Sequence, residues 1–238
     1  NLGLWGNGPL IMYSTLREYI ELNKVNRVLW LHSEGNDFTD LNYEKNSETL
    51  LKYFKDKSFT QNLPSKQKEI NLAVKQFVQN NEIRGQGDRF YEKNIKNKLI
   101  SFIKLTKLRN FNINKKTPLK QPLLENLDDF KKIILDAKNL SNQNGAEFYF
   151  VDLPDIFVRK HSSQKDLLYE EKQIATKKIK DFLKTENIPY IDIYQSVFQN
   201  HPDRMSLFPF RGYGHFNQEG YTLTAKAILK YIEEIDSK

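Results

Sequence analysis

The sequence predicts an α/β protein, a parallel sheet with helices on both faces. Three observations predict it. Short apolar runs at Arg27–His32, Glu147–Val151 and Pro189–Ile193 read as buried parallel strands. Long stretches with helical spacing separate them. Strands and helices alternating at this length require crossover connections, which make the sheet parallel.

The elements follow in order. Leu2 to Trp5 reads as the end of a strand, and Gly6 and Gly8 make a turn. Pro9 sits where a first helical position belongs, and Leu10, Tyr13, Leu16, Arg17 and Ile20 follow at helical spacing with apolar residues on one face. The run Arg27–His32 comes next and closes at Ser33-Glu34-Gly35-Asn36-Asp37. Residues 39–122 form a helical insertion rich in Lys and Asn, without strand signals, inside one domain spanning 1–238. The second run ends at Asp152-Leu153-Pro154. A helix over about 165–186 leads to the third run, and a last helix over about 218–235 starts behind Asn217, a good N-cap. The chain begins at Asn1 in an apolar, Gly-rich stretch, so an upstream segment carrying a further strand is expected.

Composition narrows the chemistry. The 238 residues are 39% hydrophobic and contain no Cys, which removes disulfide scaffolds, thiolate zinc sites and thiol nucleophiles. No run of 18 apolar residues occurs. His32, His161, His201 and His215 show no metal-ligand spacing, so neither a metal nor a cofactor is expected. The net charge of +7 concentrates between Glu92 and Lys120, where nine Lys or Arg face one acid. Ile95, Leu99, Phe102, Ile103 and Thr106 share a helical face there. Such a helix suits a peripheral contact with an anionic membrane surface, a lid over an acidic or lipid-like substrate, or a plain solvated face. Lys outnumbers Arg and the aromatic residues read as buried, which argues against nucleic acid as a partner.

In parallel sheets ligands sit beyond the carboxyl ends of the strands, so the loops there are where chemistry is expected. His215 precedes the last helix after a glycine-loosened turn, where a general base belongs. A capping or surface histidine is the plain reading. Gly35 permits a sharp turn from which Asn36 aims a side-chain N–H into the cleft, as an oxyanion requires. An ordinary Asx turn would use the same residues.

Together these segments resemble the SGNH (GDSL-like) hydrolase family. Asn1-Leu2-Gly3-Leu4-Trp5-Gly6 is similar to its second block, Gly35-Asn36-Asp37 to its third, and Gly214-His215-Phe216-Asn217 with Glu219-Gly220-Tyr221 to its fifth. A bacterial subset with Leu207-Phe208-Pro209-Phe210 before the histidine is closer still. The resemblance implies a three-layer α/β/α sandwich with a parallel flavodoxin-like sheet. It also implies a serine esterase acting on a small ester or an acylated glycan, with His215 as general base and Gly6 and Asn36 as oxyanion donors. Two departures accompany it. No Gly-Asp-Ser turn is present, since Ser14 lies in the first helix and Ser33 before the Gly-Asn-Asp turn. The nucleophile is therefore expected upstream, and the chain by itself is expected to be inactive. Tyr213 and Gly212 stand where the family places its triad acid; Asp152, Asp155 and Asp203 are distant substitutes, and a Ser-His dyad is the simpler arrangement. A non-catalytic binding protein for glycans or another partner, or an O-acyltransferase, is the alternative.

Overall fold

The computed structural model describes residues 7–22, 24–82, 124–155, 167–212 and 214–237. The expected strand end at Leu2–Trp5, Gly6, and the basic stretch Glu92–Lys120 lie outside the described residues. The chain divides into two compact units, Asn1–Thr60 with Gln121–Lys238, and Gln61–Lys120. The first therefore includes residues 39–60, so the inserted segment starts later than the expected 39–122.

The first unit begins with α1 (Pro9–Tyr19), with Pro9 in the first turn as expected. It continues through β1 (Arg27–Ser33), α2 (Asp37–Glu44) and α3 (Glu48–Lys55). Phe38, Leu41 and Tyr53 of these helices are buried, because each helix turns one apolar stripe inward. In the second unit, α4 (Gln67–Glu82) follows a 3-10 turn at Leu63–Lys66. The first unit resumes with α5 (Leu127–Gln143), β2 (Glu147–Leu153), α6 (Leu167–Thr185) and β3 (Tyr190–Asp192). A π-helical turn at Tyr194–Phe198 and two 3-10 turns lead to α7 (Gln218–Asp236).

The three strands form one parallel sheet in the order β1-β2-β3. Arg27 pairs with Glu147 at one end of the register and Ser33 with Leu153 at the other, while Phe150 faces Tyr190. The protein is thus mixed α/β with a parallel sheet, as expected. Side chains alternate across a strand, and β2 sends them into two separate clusters. Phe148 and Phe150 join Leu10, Tyr13, Trp30, Phe38, Phe130, Ile179 and Leu183. Tyr149 and Val151 join Ile191, Ile193, Phe198 and Leu207, against which Leu223 and Ile228 of α7 pack. Phe130 sits at the middle of the first cluster, its ring 4.9 Å from Phe38, 5.1 Å from His32 and 6.3 Å from Phe150.

β1 does not follow β2 in this. Val28 and Trp30 reach the first cluster, but no residue of β1 joins the second. Leu29 and Leu31, which point to the second face, remain 41% and 45% exposed. Among the described residues β1 is also an open edge of the sheet.

Candidate active site

The loops singled out by the sequence reading lie at one end of the sheet. The Arg27 guanidinium, at the start of β1, grips both carboxylate oxygens of Asp236, at the end of α7, at 2.7 Å. With its C-terminus held there, α7 runs back along the strands for about 28 Å, beyond the length of β1 at about 23 Å. Its N-terminus, and His215 before it, therefore lie at the carboxyl end of the strands. Asn36 follows β1 at the same end.

The β1–α2 turn is fixed from below. Asp37 is buried, and its Oδ2 accepts from the Ser33 N–H at 3.1 Å while pairing with His32 Nδ1 at 2.8 Å. Glu34 N–H donates to the Leu153 carbonyl at 3.1 Å, and the Glu34 carboxylate accepts from Asp155 N–H at 3.0 Å. The loops after β1 and β2 are tied to each other in this way. Asn36 stands exposed above the knot, and its side-chain amide donates to Asp40 Oδ2 at 2.5 Å. One amide hydrogen is taken up by that bond; an Asn amide carries two. Burial raises the Asp40 pKa, with the Asn36 bond opposing and Asp37 adding to the rise.

The third loop is closed at its neck. Phe208 and Phe216 meet ring to ring at 5.4 Å, both also against Phe198. Asn217 N–H donates to the Leu207 carbonyl at 2.9 Å, and its side-chain Oδ1 accepts from Gly220 N–H at 3.0 Å, the expected N-cap. Gly214, at φ +137°, takes a conformation that favours glycine. His215 is exposed at the base of this loop.

Among the described residues no carboxylate pairs with His215. The three candidate acids, Asp203, Asp155 and Asp152, have other engagements. Asp203 holds the Arg211 guanidinium through two bonds of 2.6 and 2.7 Å. Asp155 forms a largely buried ion pair with Lys172 at 3.3 Å. Asp152 accepts from the Tyr190 hydroxyl at 2.7 Å. Gly6 lies outside the described residues. Ser14 is inside α1, its hydroxyl donating to the Ile11 carbonyl at 2.9 Å.

Sequence reasoning missed a buried polar group beneath the turn. His32 is ringed by Phe38, Phe130 and Phe150 and sits level with Asp152 on the neighbouring strand. Desolvation pulls the His32 pKa down; Asp37, then Asp152 and Glu34, overcome it and leave it above the ordinary value. Burial pushes Asp152 up to about 6, with His32 opposing, Glu34 and Asp192 adding, and the Tyr190 hydrogen bond lowering it. His32, Asp152 and Tyr190 border a small cavity with Thr176, Ile179 and Lys180, and among the described residues Asp152 Oδ1 has no hydrogen-bond partner. The available signal was two polar residues near the carboxyl ends of adjacent apolar strands. The chain matches no protein-family model, no curated protein and no solved structure.

Proposed function

We propose that this chain forms most of an SGNH-type serine esterase acting on a small ester or an acylated glycan, within a three-layer α/β/α sandwich. The observation that carries the reading is the placement of Asn36 and His215 at the same carboxyl end of a parallel sheet, where such sheets bind ligands. The rigid Asp37 anchor beneath Asn36 supports it, since an oxyanion donor must be held before charge develops.

In this reading a serine on polypeptide outside these residues attacks the ester carbonyl. His215 takes the hydroxyl proton as the Ser–C bond forms, and the carbonyl oxygen becomes an oxyanion facing the Asn36 amide and the Gly6 N–H. Collapse of the intermediate breaks the C–O bond, and His215 returns the proton to the leaving alcohol. Water repeats the sequence on the acyl-enzyme. With no carboxylate partner among the described residues, His215 works in a Ser-His dyad.

The test uses the full-length gene product and a short-chain aryl ester. Asn36→Ala is expected to lower kcat about 100- to 1,000-fold, equivalent to roughly 2.7–4 kcal/mol, with KM nearly unchanged. His215→Ala is expected to abolish turnover. Unchanged turnover in both variants overturns the reading and favours a binding protein, the alternative to which the Asn36–Asp40 bond and the exposed His215 lend themselves.

A further inference from the structure

The loop that carries His215 also carries a feature catalysis does not use. Phe210 is fully exposed, at 103% of its reference area, and its backbone is left-handed at φ +53° and ψ +22°. Arg211, next to it, is left-handed at φ +54°. Two consecutive non-glycine residues in this region are strained, and an observed outlier of this kind is a reason to ask about function. An aromatic ring held in water gains nothing for the fold.

The strain is held in place on both sides. The ring contact of Phe208 with Phe216 and the hydrogen bond from Asn217 N–H to the Leu207 carbonyl close the neck. Arg211 is locked by its two-bond fork to Asp203, and Gly212 N–H donates to the Pro209 carbonyl at 3.0 Å. Phe210 thus projects from a compact loop whose far limb ends in His215. Four residues lie between the two, so their Cα atoms are at most about 18 Å apart.

We propose that Phe210 is a stacking platform for a pyranose ring of the substrate. This rests on the esterase reading, and it names the part of the substrate that does not react. A ring with both faces open encloses no acyl chain, which needs a groove. It does match a flat partner with an apolar C–H face and polar edges. A nucleotide base would bring a phosphate, but between Leu207 and Asn217 the one permanent charge is Arg211, which Asp203 neutralises. A neutral sugar suits such a surface. Stacked on Phe210, it would hold an O-acyl group on the same or a neighbouring sugar toward His215.

Binding of xylohexaose, cellohexaose and chitohexaose to the full-length protein is measured by calorimetry, with hydrolysis of O-acetylated xylohexaose and of butyl acetate followed separately. Phe210→Ala is expected to weaken binding of the best of the three sugars at least about tenfold. It should lower kcat/KM for the acetylated sugar at least about tenfold more than for butyl acetate. Phe210→Trp is expected to retain binding. Phe210→Gly removes ring and strain together, and is expected to lose binding while raising Tm. A ring that merely supported the fold would lower Tm instead. Failure to bind any of the three sugars overturns the proposal, as does equal affinity in Phe210→Ala or tighter binding of a short oligonucleotide. Sugar binding that depends on Phe210 without hydrolysis of either ester leaves this inference standing and removes the esterase reading alone.

Discussion

Asp37 is the residue on which the site's geometry turns. Its carboxylate satisfies the Ser33 N–H and the His32 ring at once, in a place closed to water. Removing one member of such a buried pair leaves the other uncompensated, so Asp37→Ala is expected to cost about 3–5 kcal/mol, read from urea unfolding. A loss below about 1 kcal/mol would mean that His32 needs no partner. The neighbouring Asp152 makes a separate pH prediction. Its pKa of about 6 stands above the 3.8 of the free side chain, so between about pH 4 and 6 the folded state binds the extra proton. Stability therefore falls as pH rises through that window. His32, also raised, extends the fall: its contribution is whole below about pH 6.5 and fades as pH passes its folded value. Glu34, Asp192 and Asp37 around them favour the protonated forms, and among the described residues Tyr190 alone donates to the Asp152 carboxylate. Asp40 and Glu44, also raised by burial, act in the same sense. Asp56 and Asp203, held low, affect stability below about pH 4. Asp152→Asn should flatten the Tm profile between pH 4 and 6, whereas a profile equally steep in that variant would assign the fall to other groups.

At the scale of elements, α1 depends on a residue far along the chain. It has no side-chain cap of its own. Glu44, at the end of α2, accepts the N–H groups of Gly8, Leu10 and Ile11 at 2.8, 2.8 and 3.2 Å. These are donors that a helix start leaves unsatisfied, and an anion there also meets the helix dipole. Glu44→Ala is expected to cost about 2 kcal/mol, lowering Tm by roughly 4–8 °C, with Glu44→Gln losing less. Scanning calorimetry decides this, and an unchanged melt would leave α1 dependent on packing alone. The contrast with α7 explains what the sequence made legible. Asn217 caps a residue three positions away, so the start of α7 could be read directly, as could β1, β2 and β3 from short apolar runs. Glu44 caps a helix 34 residues back, and Asp152 meets Tyr190 only because β2 and β3 align. Such pairings depend on register and crossover, which local periodicity does not carry. The Asn36 turn and the placement of His215 were legible for the same local reason. The Asp40 bond to Asn36 and the Arg211–Asp203 fork were not, although each spans fewer than ten residues, because nothing in the pattern distinguishes them from solvated charge.

Across the whole sheet, coverage is unequal. α7 packs against β2 and β3, while Leu29 and Leu31 on the same face of β1 stand nearly half exposed beside a strand edge that is open among the described residues. Crossovers between parallel strands are right-handed, and α1, which precedes β1, lies with the first cluster as α5 and α6 do. In the proposed reading, a strand preceding α1 takes the open side of β1. Covering Leu29 and Leu31 then takes a helix on the opposite face. An open edge bordered by apolar side chains pairs readily with other chains. Residues 1–238 expressed alone are therefore expected to self-associate and to bind an apolar dye such as ANS. Leu29→Lys with Leu31→Lys should lower both, and should cost less than about 1 kcal/mol in urea unfolding, because neither side chain joins a buried cluster. In the full-length gene product the same double substitution is expected to destabilise by several kcal/mol, through charge placed under a packed helix. Sedimentation velocity and urea melts of both forms make the comparison. An equal, small cost in the two would leave β1 an exposed edge in the complete protein and would remove the strand proposed for its open side.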